Sequence, residues 1–212
     1  MIAPGPRGIR GGASRLFLLS PASLAGVRGR RILEGEAGAD FMDALGRGGS
    51  VPLGDVYAFI SSLYYRGKRT YGRRFGRRRG GGATVFAITS TRGLLPDDTM
   101  VAMDDLRAFA STGIGPDNPD YVEPLTSTAC ALGGDLEADD EVILLGSIAS
   151  GKYLDPLAEI FGRRLLVPRA FIGRGDMSRG GLLIRAAAAG RELDYIVALE
   201  AERRGPRPPR LA

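Results

Sequence analysis

Glu141-Val-Ile-Leu-Leu-Gly-Ser-Ile-Ala-Ser-Gly-Lys152 decides how the rest of the chain is read. Its first five residues form a short apolar run bounded by a turn signal, the pattern of a buried strand. Gly146 to Lys152 follows as a Gly/Ser turn. Leu154 to Phe161 then recurs at helical spacing, and Leu165-Leu-Val167 is a second apolar run. Gly173-Arg-Gly-Asp-Met-Ser-Arg-Gly-Gly181 predicts a loop that opens a helix over 182–189. Strand, helix, strand, helix is the signature of a sheet covered on both faces.

Working outward, Arg15 to Leu19 and Thr84 to Thr89 predict two further strands, and Tyr195 to Leu199 a last one. Helices are expected over 25–33, 40–45, 52–65, 106–110 and 121–132. The helix beginning at Pro52 carries Val56, Phe59, Ile60 and Leu63 on one face. It continues to Phe75 if Gly67 and Gly72 allow. The fold class is therefore α/β: one domain over 14–200, a central mostly parallel sheet flanked by helices. Residues 1–13 and 201–212 are Gly/Pro/Arg-rich and predict disordered tails.

Composition narrows the chemistry. A chain of 212 residues with 44% hydrophobic content suits one domain. No apolar run reaches the ~18 residues of a membrane span, so a cytoplasmic protein without membrane attachment is expected. There is no histidine, which excludes a Ser-His-Asp triad and a histidine-ligated zinc site. Neither a metal nor a cofactor is predicted. The single cysteine, Cys130, reads as a buried core thiol. Oligomeric state is not legible.

Charge is unevenly placed. The net charge is +5, yet Val56 to Pro96 holds nine basic residues and no acid, so the balance of the chain is net acidic. Arg66, Lys68, Arg69, Arg73, Arg74, Arg77, Arg78 and Arg79 alternate there with Tyr64, Tyr65, Tyr71 and Phe75. Cations neutralise phosphates and aromatic planes stack on bases, which points to a nucleic-acid contact. A solvated basic helix whose aromatics face the core satisfies the same pattern.

Ligands of open α/β sheets sit at the carboxyl ends of the strands. Four loops fall there, and they supply the candidate site. Ser20 and Ser23 follow the first strand, and Ser90, Arg92 and Gly93 the second. Ser147, Ser150, Gly151 and Lys152 follow the strand at 141–145. Arg174, Gly175, Ser178, Arg179 and Gly180 belong to the last loop, where a helix start would offer free N–H groups to a phosphate. Gly146 to Lys152 also fits G-x-x-x-x-G-K, but Tyr153 stands where a P-loop needs Ser or Thr. Asp176, Asp97 and Asp104 are the candidate acids or bases. The residues leave open whether the chain is catalytic.

Two of these segments carry a resemblance. Leu18-Leu-Ser-Pro-Ala22 resembles the L-L-S-P-A-K opening of the peroxide-stress YaaA family, with Ser23 in place of the lysine. Ile88-Thr-Ser-Thr-Arg-Gly-Leu-Leu-Pro-Asp97 is similar to that family's S-x-x-Y-G-L-L-x-P motif, with Arg92 in place of the aromatic. The resemblance implies a core like that of the uracil-DNA glycosylases and a setting of nucleic-acid binding or nucleobase modification. Glycosylases of that kind carry a His-Pro-Ser loop. Here Val167-Pro-Arg-Ala170 and the loop Gly173 to Gly181 stand instead, without a histidine, so uracil excision is not implied. The expected function is a nucleic-acid-binding protein with a phosphate or nucleotide cleft. The alternatives are an enzyme acting on a small nucleotide or nucleoside, and an accessory protein that binds an acidic partner.

Overall fold

The computed structural model describes residues 12–203 and Gly205. Of the expected tails, residues 1–11, 204 and 206–212 lie outside them. In chain order the elements are β1 (Arg15–Leu19), α1 (Val27–Leu33), α2 (Met42–Gly46), β2 (Val51–Pro52), α3 (Leu53–Ile60) and α4 (Ser62–Phe75). Then come β3 (Val85–Ile88), β4 (Leu94–Pro96), β5 (Met100–Val101), α5 (Met103–Ser111) and α6 (Pro119–Gly134). The chain ends with β6 (Glu141–Leu145), α7 (Leu154–Phe161), β7 (Leu165–Pro168), α8 (Asp176–Ala188) and β8 (Tyr195–Val197).

The main sheet runs β4-β3-β1-β6-β7-β8. Its four inner strands are parallel, and β4 and β8 close the two edges antiparallel. Parallel strands buried on both faces read as near-continuous apolar runs, and β1 and β6 supply them after their first residues, Arg15 and Glu141. Phe17, Leu19, Ile143 and Leu145 point into the layer of α1, α3, α4 and α8. Leu16, Leu18, Val142 and Leu144 point into the layer of α6 and α7. A two-stranded ribbon of β2 and β5 stands apart from this sheet.

α4 packs hardest against α8. It survives its glycines because they are the places where neighbours come closest. A Cβ on Gly67 would lie 2.8 Å from the Gly180 carbonyl oxygen, and one on Gly72 would lie 3.1 Å from Val85. The helix expected from Pro52 to Tyr65 instead breaks at Ser61, whose φ −117° and ψ 70° are not helical. We expect Gly180→Ala to cost roughly 1–3 kcal/mol in urea unfolding, because its Cβ would sit 2.9 Å from Leu63 O and Tyr64 Cα. Both are backbone atoms, with little room to give.

Two expectations need correction here. Cys130 is exposed rather than buried, since it lies on the outer side of α6 while Leu125, Ala129 and Leu132 face inward. The segment at 173–181 is not a loop leading to a later helix. α8 starts at Asp176, and the Arg179 N–H already bonds to Gly175 O at 3.0 Å. Glycines lower helix propensity, but Gly180 is held helical by the α4 contact.

Candidate functional site

The carboxyl ends of β1 and β6 form a topological switch point. The chain leaves β1 toward the α3/α4 layer and leaves β6 toward α7 on the opposite face, so a crevice opens between the two loops. A cleft of about 760 Å³ lies there. Ser20, Ser23, Ser90, Ser147, Lys152 and Asp176 all line it. Three of the four expected loops thus reach one mouth, and the fourth contributes Asp176 from the first turn of α8. Tyr57, Tyr64, Ile60, Phe109 and Ile114 supply the apolar walls.

Other candidates lie elsewhere. Arg92 turns away to pair with Asp105 at 3.1 Å. Gly93, at φ 63°, is pressed against α6, where a Cβ would meet Pro124 O at 2.2 Å. Ser150 and Gly151 belong to the turn but do not line the cleft. Gly151 faces Asp155, itself paired with Arg203. The turn does not cradle a phosphate in the P-loop manner, because α7 begins only at Leu154, beyond Lys152. Arg174, just before α8, donates to Ser178 Oγ in the first turn of that helix. Gly175 is that helix's N-cap, and because the Arg179 N–H already bonds to Gly175 O, Arg179 and Gly180 do not offer the free donors of a helix start, whereas Ser178 lies in its first turn. Arg179 is buried and donates to Phe171 O at 3.0 Å and 3.3 Å.

The basic stretch is also redistributed. From Tyr64 at the cleft to Phe75 at its far end, α4 spans about 17 Å at 1.5 Å per residue. Arg77 bridges to Arg15 at the amino end of β1, so the stretch leads away from the mouth. Arg69 and Arg73 converge on Asp97. Arg78 pairs with Asp135, and Arg79 with Glu137, Asp139 and Asp140. Among the described residues, Arg66, Arg74 and Arg77 are the members of the stretch that are exposed and outside these pairs. Of the acids, Asp97 is buried among arginines and Asp104 is exposed and paired with Arg107. Asp176 alone reaches the cleft.

Lys68 is the residue that charge counting misplaced. It is only 1% exposed, in the middle of the inward face made by Tyr64, Tyr65, Tyr71 and Gly72. Its Nζ donates to Ser20 O at 2.5 Å and to Ser20 Oγ at 2.9 Å. The rings of Tyr64 and Tyr65 lie 4.3 Å and 4.9 Å away. Burial pulls its pKa from 10.5 down to about 7, with Asp176 opposing the shift and Arg179 adding to it. The spacing 64, 65, 68, 71, 72 was the available signal, since it places a lysine within an apolar stripe. Beside it, the buried Tyr64 hydroxyl lies close to Ser20 and Arg179, both of which oppose its rise, but short of full hydrogen-bond geometry. Burial raises that hydroxyl to about 12.

Among the described residues no group of three or more acidic or cysteine side chains is placed to hold a metal, and no helix is long and apolar enough to cross a membrane. Comparison with protein-family models, with curated proteins and with solved structures finds no match.

Proposed function

We infer that this protein binds a small nucleotide or nucleoside in the β1/β6 cleft and acts on it there as an enzyme. The observation that carries this conclusion is the convergence of Ser20, Ser90, Ser147, Lys152 and Asp176 on one cleft, about 760 Å³ in volume. That volume lies within the range of small-molecule sites, roughly 300–1,000 Å³. Serine hydroxyls suit a sugar, Lys152 suits a phosphate, and Tyr57, Tyr64 and Phe109 offer apolar surface to a base. The motif resemblance to glycosylase-like families leans toward the same ligand class. An extended nucleic-acid track is less well supported, because the basic stretch is largely ion-paired and its far end lies away from the cleft.

A thermal-shift panel of nucleosides, nucleotides and short oligonucleotides tests this. A ligand at 100 times its Kd adds about 2.7 kcal/mol, which raises Tm by roughly 5–10 °C for a domain of this size. Lys152→Met should abolish the advantage of a nucleotide over its nucleoside. Charge reversal of Arg74 and Arg77 should leave the shifts unchanged. A flat panel, or one answered only by oligonucleotides and lost on that charge reversal, would overturn the assignment.

A further inference from the structure

Ser20 and Lys68 meet at the floor of the cleft in an arrangement that nothing structural requires. The Lys68 amine has no carboxylate partner within hydrogen-bond reach among the described residues; it meets two oxygens of Ser20 and two aromatic rings. The bond to Ser20 O holds Nζ in place, and the 2.9 Å contact to Oγ is the distance of a nucleophile–base pair. Ser20 directly follows β1, where Gly146, directly after the neighbouring β6, passes so closely that a Cβ there would lie 3.1 Å from Ser20 Cβ. Ser20 lines the cleft at 5% exposure, and its Oγ also donates to Leu145 O at 3.3 Å, a bond the hydroxyl must release to give its proton to Lys68. The buried Tyr64 hydroxyl lies near Ser20 and meets no partner at hydrogen-bond geometry.

We propose that Ser20 is a nucleophile with Lys68 as its general base, and that the cleft hydrolyses an ester or similarly activated acyl group on its ligand. This rests on the cleft being the ligand site. As the Ser20 Oγ–carbon bond forms, the hydroxyl proton passes to neutral Lys68. Tyr64 donates to the oxyanion that develops, which is where an unused buried donor acts most strongly. The bond from carbon to the leaving alcohol then breaks, and Lys68 returns the proton to that alcohol. Water attacks the acyl-Ser20 ester and gives its proton to Lys68. The ester bond to Oγ breaks, Ser20 recovers the proton, and the products are an acid and an alcohol. The lowered affinity of Lys68 for protons leaves much of it neutral near pH 7, the form a base needs.

The test uses the full chain and an alkyl fluorophosphonate. Attack by Ser20 Oγ forms an O–P bond, expels fluoride and sends the hydroxyl proton to Lys68, leaving an adduct that intact-mass and peptide mass spectrometry locate. The expected result is one adduct, on Ser20, whose formation rate climbs through pH 7 and levels off above it. Lys68→Met should lower that rate at least about 100-fold, and Ser20→Ala should abolish the adduct, with both variants retaining a cooperative melt. No adduct on Ser20 at pH 8.5, an adduct mapped to Ser23 or Ser147 instead, or an unchanged rate in Lys68→Met would each overturn the proposal. Nucleotide stabilisation without labelling would defeat only the dyad. Labelling without any nucleotide shift would defeat only the ligand assignment.

Discussion

Lys68→Met is expected to be more stable than the native chain at pH 6, and to lose most of the native dependence of stability on pH between about 7 and 10.5. The native lysine has a folded pKa of about 7 against 10.5 in the unfolded chain. Between those values the unfolded chain holds a proton that the folded chain lacks, so raising the pH favours folding. The slope is about 1.36 kcal/mol per pH unit. Below pH 7 the full penalty of a buried charge is present, roughly 5 kcal/mol for a shift of this size. Methionine fills similar volume without charge but leaves the Ser20 oxygens short of a donor, at a cost of about 1–3 kcal/mol. The difference leaves the variant roughly 2–4 kcal/mol ahead at pH 6, from those same magnitudes. Above pH 10 the trend reverses in both proteins. Burial raises the hydroxyls of Tyr57 and Tyr65, so there the unfolded chain releases protons that the folded chain keeps. Urea titrations at pH 6, 7.5 and 9 check this. A native stability that is level from 7 to 9, or a variant with the same slope, would contradict it.

Asp97→Asn should have the opposite sign at every neutral pH, a loss of roughly 3–5 kcal/mol. Asp97 is 3% exposed and accepts from Arg69 Nε at 2.6 Å, Arg73 Nη2 at 2.8 Å and Tyr65 OH at 3.2 Å. Asparagine has nearly the same shape, which matters because a Cβ on Gly54 would already lie 2.2 Å from Asp97 Oδ1. The loss therefore reports charge rather than packing. Most of it belongs to Arg69, since the half-exposed Arg73 is screened by water. Arg69→Met combined with Asp97→Asn should cost less than the two single changes added together. Additive costs in chemical denaturation would show that the pair is not coupled. Nucleotide stabilisation should persist in Asp97→Asn, because this carboxylate supports α4 and does not line the cleft.

The main strands were legible because both-face burial writes continuous apolar runs into β1, β3 and β6. Of the two edge strands, β8 was legible as Tyr195 to Leu199 but β4 was not. Leu94-Leu-Pro96 is three residues long and contains proline, so no run or alternation marks it. Its partner β3 decides that it is a strand. The start of α8 was hidden for a related reason. Gly175, Gly180 and Gly181 signal a loop locally, and only the long-range contact of Gly180 with Tyr64 shows why a glycine stands within a helix. The cleft was half legible. Ser20, Ser90, Ser147, Lys152 and Asp176 follow from where strands end. The fate of the arginines depends on acids such as Asp97, Asp135 and Asp140, and no local pattern announces those pairings. Lys68 was counted among the arginines because charge runs are read linearly, whereas its helical phase assigns it to the aromatic face.

Both rims of the main sheet are three-residue antiparallel strands, β4 and β8. A visiting strand from a second molecule would find only a few backbone groups to bond at either rim, and Pro96 lacks an N–H to offer. Crowded chains of this protein therefore have little template for stacking sheet upon sheet end to end, which favours recovery from partial unfolding over fibre growth.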